Sequence, residues 1–149
     1  MTRSLPPKTL VLYADDDPDD IDLITHAFHE QTMNVELMTF SDGLEMLNYI
    51  EKLGPLEPKP CLVILDINMP RLNGKETLRR LRNVDGYAEV PAVLFSTSTM
   101  PFDESFAKNF NAGFVTKPLH TRQIHLIVDR IIEHCSDETK KRMRRRNEN

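Results

Sequence analysis

An uninterrupted apolar run that ends at a carboxylate constrains the fold of this chain more than any other feature. Residues 61–65 have the sequence CLVIL, and Asp66 follows directly. A short run rich in Val, Ile and Leu predicts a β-strand buried on both faces, as in a parallel sheet. Because a carboxylate is costly to bury without partners, we expect Asp66 at the rim where the strand ends. Open α/β sheets form their ligand crevices at that rim.

Four more short apolar runs alternate with segments of helical periodicity. Strands are predicted at residues 10–14, 35–40, 61–65, 90–95 and 112–116. Helices are predicted at residues 18–30, 43–53, 73–82, 101–110 and 121–132, and the third should direct Arg82 outward. This alternation predicts one α/β domain, a doubly wound (βα)5 three-layer sandwich with five parallel strands.

Length and composition fit a single domain in a reducing compartment. The chain has 149 residues, of which 40% are hydrophobic and 28% charged, and only two are cysteines. We expect an N-terminal extension at residues 1–8, the folded domain at residues 9–135, and a tail at residues 136–149. No stretch reaches the roughly 18 apolar residues of a membrane span, and the start lacks a signal peptide. A cytoplasmic protein without a membrane contact is therefore expected.

The net charge of −4 is distributed unevenly along the chain. The tail carries six basic and three acidic residues, so the body before it is strongly acidic. An acidic body argues against nucleic-acid binding, and the tail is too short to form a DNA-binding output domain. We interpret the basic tail as a solvated chain end or a frayed helix, since cations suit a helix C-terminus. Contact with nucleic acid, a membrane or a kinase is the alternative.

Polar side chains stand at the end of four of the predicted strands. They are Asp15 and Asp16 after strand one, Asp66 after strand three, Ser96 after strand four, and Lys117 after strand five. Because parallel strands end at one edge of the sheet, these side chains should converge. Crowded carboxylates favour a bound cation, and Mg²⁺ prefers oxygen ligands. An ionised Asp is also a competent nucleophile, so the constellation predicts phosphoryl transfer to Asp66.

These residues, with Asn68, Pro70, Gly74 and Pro118, resemble the receiver domain of two-component response regulators. The similarity runs from about residue 10 to residue 132 and implies the flavodoxin-like strand order 2-1-3-4-5. It implies that Asp66 accepts a phosphoryl group from the phosphohistidine of a histidine kinase. It also implies a Mg²⁺ site in which Asp16 binds the ion directly and Asp15 binds it largely through water. Asn68 would contribute its backbone carbonyl.

The same resemblance implies roles for the surrounding residues. Lys117 would pair with the acceptor carboxylate and then with the phosphate, and its bond to Pro118 would be cis. Ser96 would donate a hydrogen bond to the phosphoryl group and form the switch together with Phe114. Phe114 has no hydroxyl, so its movement would depend on packing alone. Pro70 and Gly74 would shape the loop that follows Asp66.

Two features of the sequence leave narrower alternatives open. The run of three acids at residues 15–17 permits either of two registers, and we assign Asp17 to the helix cap before Pro18. The proline-rich loop at residues 54–60 and the segment at 95–98 resemble single-domain regulators, some of which partner phytochrome-type kinases. The resemblance implies one of two partners. The first is a histidine kinase of the phytochrome type or of the hybrid type, and the second is a histidine phosphotransfer protein. The resemblance also allows a homodimer through helix 4, strand 5 and helix 5.

Two other functions compete with that of a stand-alone regulator that signals by altered protein contacts. One is a Mg²⁺-dependent hydrolase with an aspartyl-phosphate intermediate. Such enzymes commonly carry a second acid two residues after the nucleophile, where this chain has Asn68. The other is an interaction module that acts without phosphorylation, although the complete acidic pocket argues against it. We therefore expect a protein that catalyses only its own phosphorylation and dephosphorylation and is not a turnover enzyme.

Overall fold

The structure, a computed structural model, describes residues 8–54 and 58–144. The predicted N-terminal extension, the middle of the proline-rich loop and the last residues of the tail lie mostly outside this range. The strands are β1 (Thr9–Ala14), β2 (Val35–Phe40), β3 (Leu62–Leu65), β4 (Ala92–Ser96) and β5 (Gly113–Thr116). The helices are α1 (Pro18–Gln31), α2 (Gly43–Leu53), α3 (Gly74–Arg82), α4 (Pro101–Asn109), α5 (Ile124–Ile132) and α6 (Asp137–Met143). A turn of 3-10 helix at Thr121–Gln123 leads into α5.

The five strands form one sheet in the order β2-β1-β3-β4-β5, and every pair is parallel. The predicted doubly wound architecture and strand order are therefore confirmed. Ala14 pairs with Leu65, so β1 and β3 end at the same level. Ser96 pairs with Thr116, so β4 and β5 also end together. The residues that follow these strands consequently meet at one rim of the sheet.

Two hydrophobic clusters cover the two faces of the sheet. Along β1, Leu12 and Ala14 belong to the cluster under α2, α3 and α4, whereas Val11 and Tyr13 belong to the cluster under α1, α5 and α6. This alternation follows from the two-residue period of a strand. Both sets are fully buried, which explains why the central strands appear as continuous apolar runs in the sequence.

Helix α1 begins where the sequence predicts it. Pro18 is the first helical residue, and the Asp17 side chain accepts a hydrogen bond from the Asp19 N–H at 2.9 Å. A capping side chain satisfies one of the free N–H groups at the helix start. Asp17 is thus occupied as a cap, in agreement with the register chosen for the three acids.

Arg82 lies at the end of α3, where the sequence predicts that it points into solvent. The structure contradicts this prediction. It is half-buried, and its guanidinium donates hydrogen bonds to four backbone carbonyls, those of Tyr87, Val90, Phe110 and Asn111, at 2.7–2.9 Å. Periodicity places Arg82 on the polar face of the helix. The long side chain nevertheless reaches across to two neighbouring loops, because its planar fork can serve several acceptors at once.

Replacement of Arg82 by Met is expected to lower the free energy of unfolding by about 2 kcal/mol, because carbonyls that accept from a charged donor lose their partner. Urea unfolding measures the change. Arg80→Met is the matched control, since Arg80 is exposed and its ion pair with Glu76 lies on the helix surface. A surface ion pair contributes at most about 1 kcal/mol. Equal effects of the two substitutions would show that the hydrogen bonds of Arg82 to the backbone carbonyls do not stabilise the fold.

The basic segment after residue 135 forms a helix, one side of which packs against the domain. The interpretation as a solvated end is therefore wrong for the buried residues Thr139 and Met143, whereas the acidic and basic residues between and before them are exposed or partly exposed. Helix α6 begins after Ser136, whose hydroxyl accepts a hydrogen bond from the Thr139 N–H. Met143 at its end is fully buried in the cluster that contains Tyr13 and Phe28. The folded unit therefore extends beyond the predicted boundary at residue 135. Among the described residues, no helix combines the length and apolar character that crossing a bilayer requires.

Candidate functional site

Three carboxylates meet at the rim of the sheet. Asp15 and Asp16 follow β1, and Asp66 follows β3. One oxygen of each lies within 4.8 Å of the others. Asp15 and Asp66 are buried, at 0% and 6% exposure, whereas Asp16 is exposed. The carboxylate cluster inferred from the strand ends is thus present, and it opens to solvent on the side of Asp16.

Burial and the neighbouring carboxylates change the acidity of Asp66. The pKa of Asp66 is raised to about 6, mainly by burial and further by the negative charges of Asp15 and Asp16. Lys117 opposes the increase. A site that holds like charges this close favours a cation, because a cation offsets both repulsion and desolvation. All three side chains offer hard oxygen ligands, a donor set that suits Mg²⁺.

Lys117 follows β5 and brings a positive charge to the cluster. Its Nζ lies 2.7 Å from Asp15 Oδ2 and 3.4 Å from Asp66 Oδ1. Burial lowers the pKa of Lys117, but the hydrogen bonds to carboxylates raise it by more, so the net change is upward. The ammonium therefore stays charged at neutral pH. The structure joins Lys117 to two of the three predicted carboxylates.

Two residues that the sequence did not indicate hold this cluster in place. The Tyr13 hydroxyl donates to Asp15 Oδ2 at 2.6 Å, and Asp20 Oδ2 accepts from Lys117 Nζ at 2.8 Å. Tyr13 looks like a core residue of β1, and Asp20 looks like an ordinary acid at a helix start. For Tyr13 the sequence does carry a signal. A tyrosine in a buried strand indicates a polar partner nearby, because a buried hydroxyl needs a hydrogen bond. The sequence carries no comparable signal for Asp20.

The loop after Asp66 approaches the backbone of the site closely at Gly74. The Gly74 N–H donates to the Ile67 carbonyl at 2.8 Å. A Cβ atom on Gly74 would lie 2.0 Å from the Asp66 carbonyl oxygen, so any other residue would displace the backbone. Pro70 and Asn68 are exposed on the same loop. The predicted shaping function of Gly74 has a clear steric reason.

Ser96 is fully buried at the end of β4, and its carbonyl accepts a hydrogen bond from the Lys117 N–H at 2.8 Å. Its Oγ accepts from the Ser98 N–H at 3.2 Å. A hydroxyl that accepts in this way keeps its own hydrogen for donation. Phe114 lies on β5, paired with Leu94, and packs partly buried against the core.

A polar network continues from Ser98 to helix α4. The Ser98 hydroxyl donates to Asp103, which also forms an ion pair with Lys75 of α3. The Lys75 ammonium lies 4.7 Å from the centre of the Phe102 ring. Phe102 is 69% exposed, so this side chain of α4 does not contribute to the core. The network connects the loop after Ser96 to an exposed aromatic side chain.

The sequence predicts a cis bond between Lys117 and Pro118, and this prediction is wrong. The described residues contain no cis peptide bond. The trans form needs no special explanation, since a bond before proline favours trans by about 0.5–1 kcal/mol.

Comparisons with known proteins agree with this geometry. The profile of the response regulator receiver domain matches residues 11–129. Response regulator Rcp1 of Synechocystis sp. is 31% identical over 98 residues, which cover 64% of this chain and 66% of Rcp1. The structure of the phosphorylated cyanobacterial phytochrome response regulator RcpA has a TM-score of 0.78 at 27% identity, and the match covers 88% of this chain and 96% of that one.

A third comparison concerns the fold alone. The Mn²⁺-bound structure of Rcp1 has a TM-score of 0.74 at 23% identity, and it covers 84% of this chain and 92% of that one. The profile match extends from β1 into α5 and includes every residue of the rim cluster. An acidic pocket of three carboxylates at the rim suits phosphorylation and metal binding. The chain therefore belongs to the family of response regulator receiver domains.

Proposed function

We propose that this protein accepts a phosphoryl group on Asp66 in a Mg²⁺-dependent reaction and signals through altered protein contacts. The observation that carries the proposal is the placement of Asp66. Its carboxylate lies within 4.8 Å of two other carboxylates and 3.4 Å from the Lys117 ammonium. A carboxylate nucleophile beside a fixed cation is the arrangement that phosphoryl transfer requires.

The chemical step needs little more than this arrangement. A carboxylate oxygen of Asp66 forms the new bond to phosphorus, and the bond to the donor imidazole nitrogen breaks. The imidazole leaves with the electron pair. Lys117 neutralises the phosphoryl oxygens, and the Ser96 hydroxyl donates a hydrogen bond to one of them. The hydrogen bond that Ser96 accepts from Ser98 leaves its own hydrogen available for this.

Asp15, Asp16 and Asp66 would hold the metal, together with the backbone carbonyl of Asn68. Mg²⁺ would supply positive charge to the phosphoryl oxygens. The raised pKa of Asp66, about 6, supports this assignment because a bound cation would favour the ionised form. Asp15 already accepts hydrogen bonds from Tyr13, from Lys117 and from the Asp17 N–H, which favours contact with the ion through water.

The switch would consist of Ser96 and Phe114. Movement of Ser96 toward a phosphoryl group would break its contact with Ser98 and disturb the network that leads to Phe102 on α4. Phe114 packs against the core without a hydroxyl to anchor it. Its rotation would therefore follow the space that Ser96 leaves. This route would carry the signal to the surface of α4, β5 and α5.

We propose a histidine kinase or a histidine phosphotransfer protein as the phosphoryl donor. The similarity to Rcp1 and RcpA supports a phytochrome-type or hybrid kinase, because RcpA is a phytochrome response regulator. Phe102 and Leu126 are exposed on α4 and α5, which supports partner or homodimer contacts on that face. A cytoplasmic location fits such partners. We assign no turnover of external substrates to the site.

Incubation of the protein with acetyl phosphate and Mg²⁺ tests the proposal. Intact mass should increase by one phosphoryl group in the wild type, and chelation of the metal should prevent the increase. Asp66→Asn should remain unlabelled, whereas Asp19→Asn, which removes an exposed acid from α1, should be labelled like the wild type. Labelling of Asp66→Asn to the wild-type level would refute the acceptor assignment. Sustained release of phosphate from a phosphomonoester would favour a hydrolase.

A further inference from the structure

The Lys117 ammonium is shared unequally among three carboxylates. It lies 2.7 Å from Asp15 Oδ2 and 2.8 Å from Asp20 Oδ2, but 3.4 Å from Asp66 Oδ1. The first two distances are those of charge-assisted hydrogen bonds, and the third exceeds that range. Lys117 therefore lies closer to Asp15 and Asp20 than to Asp66, the carboxylate that it would serve during phosphoryl transfer.

Asp20 occupies a fixed position relative to this ammonium. It lies in the first turn of α1, whose start is set by Pro18 and by the Asp17 cap. Its side chain is 31% exposed, whereas that of Lys117 is 9% exposed. Because α1 fixes the backbone of Asp20, we expect a movement of Nζ toward Asp66 to lengthen its contact with Asp20.

Asp15 and Asp20 differ in what a metal would do to them. Asp15 belongs to the carboxylate cluster, so a bound cation would share its negative charge. Asp20 lies outside that cluster and would keep its full charge for Lys117. With metal present, Asp20 is consequently the main carboxylate that competes with Asp66 and with incoming phosphoryl oxygens for the ammonium.

We propose that Asp20 is a positioning residue that holds Lys117 away from Asp66 and thereby slows phosphoryl transfer to that carboxylate. The proposal rests on the function assigned to Asp66. An interaction that is stronger in the ground state than in the transition state raises the barrier. The bond between Asp20 and Lys117 has this property, since Lys117 must turn to the phosphoryl group as charge develops there. Asp20 acts through Lys117 and has no contact with the reacting atoms.

Asp20→Asn is the informative variant, because it keeps the shape of the side chain and removes its charge. With acetyl phosphate and saturating Mg²⁺, this variant should be labelled about fivefold faster than the wild type, the change that about 1 kcal/mol produces. Asp19→Asn is the matched control. It makes the same change in net charge one residue away, at an exposed position. Its labelling rate should equal that of the wild type.

A second measurement separates positioning from a general structural effect. Beryllium trifluoride, in the presence of Mg²⁺, binds to an aspartate carboxylate and mimics a phosphoryl group. Calorimetry measures its affinity without any turnover. Asp20→Asn should bind it about fivefold more tightly than Asp19→Asn, because Lys117 no longer has to leave a charged partner. Loss of a helix-start charge alone would not increase this affinity.

The outcomes are distinct for the two proposals. If the wild type is labelled and Asp20→Asn is no faster than Asp19→Asn, or binds the fluoride no more tightly, the inference about Asp20 is wrong. A slower reaction of Asp20→Asn would mean that Asp20 assists Lys117, which also overturns it. If the wild type is not labelled at all, the assignment of Asp66 fails, and the inference fails with it.

Discussion

Met143→Ala is expected to lower the free energy of unfolding by about 2–5 kcal/mol, the range measured when a buried Met, Leu or Ile is truncated. Met143 is fully buried in the cluster that contains Tyr13, Phe28 and Ile131, so truncation leaves a cavity beside strand β1. Urea unfolding followed by circular dichroism gives the change. The effect is large because the domain as a whole is stabilised by only about 5–15 kcal/mol.

Several contacts attach the segment around Met143 to the domain. The Met33 N–H donates to the Met143 carbonyl at 2.8 Å, and Thr32 forms a β-bridge with Arg144. Arg144 also forms ion pairs with Glu133 and Asp129. These polar contacts fix the register of the segment, whereas the buried Met143 supplies most of the free energy.

Arg142→Ala is the matched control for Met143→Ala. Arg142 is the preceding residue on α6, and it is exposed. Its replacement should change the free energy of unfolding by no more than about 0.5 kcal/mol. If Met143→Ala and Arg142→Ala unfold at the same urea concentration, α6 contributes nothing to the core, and the domain ends near residue 135.

The parts of the fold that local patterns decide were predicted from the sequence. The apolar run before Asp66 predicted a buried central strand, and the alternation of strands and helices predicted a parallel sheet. Because parallel strands end at one rim, the meeting of Asp15, Asp66 and Lys117 followed from topology without any knowledge of distances. The cap at Asp17 also depended only on neighbouring residues.

The parts that depend on single long-range contacts were not predicted. Asp20 and Lys117 are 97 residues apart, and nothing near Asp20 distinguishes it from Asp19. Arg82 stands on a polar helix face, and only the neighbouring loops supply the carbonyls that bind it. In α6, one apolar residue within a basic run decides the packing. The many charges of this segment predict a solvated end, and they hide the signal of the single Met. Burial of one Met side chain nevertheless contributes about 1.5–3 kcal/mol.

Asp66→Asn should stabilise the metal-free protein at pH 7.5 by up to about 3 kcal/mol, although it abolishes phosphorylation. The pKa of Asp66 is raised from 3.8 to about 6 by burial and by Asp15 and Asp16, against the opposing charge of Lys117. The folded state therefore binds the proton more tightly than the unfolded state. The stability that this provides is complete below about pH 4 and is lost as the pH rises through about 6.

Asparagine carries no charge, so the variant avoids this loss. Urea unfolding in a chelating buffer should show the variant more stable than the wild type at pH 7.5, with the difference vanishing near pH 4. Mg²⁺ at pH 7.5 should reverse the order, because a ligand that binds only the folded state stabilises it and the variant lacks one carboxylate. Asp19→Asn, at an exposed position, should follow the wild type throughout. A difference between Asp66→Asn and wild type that is independent of pH would show that folding does not raise the pKa of Asp66.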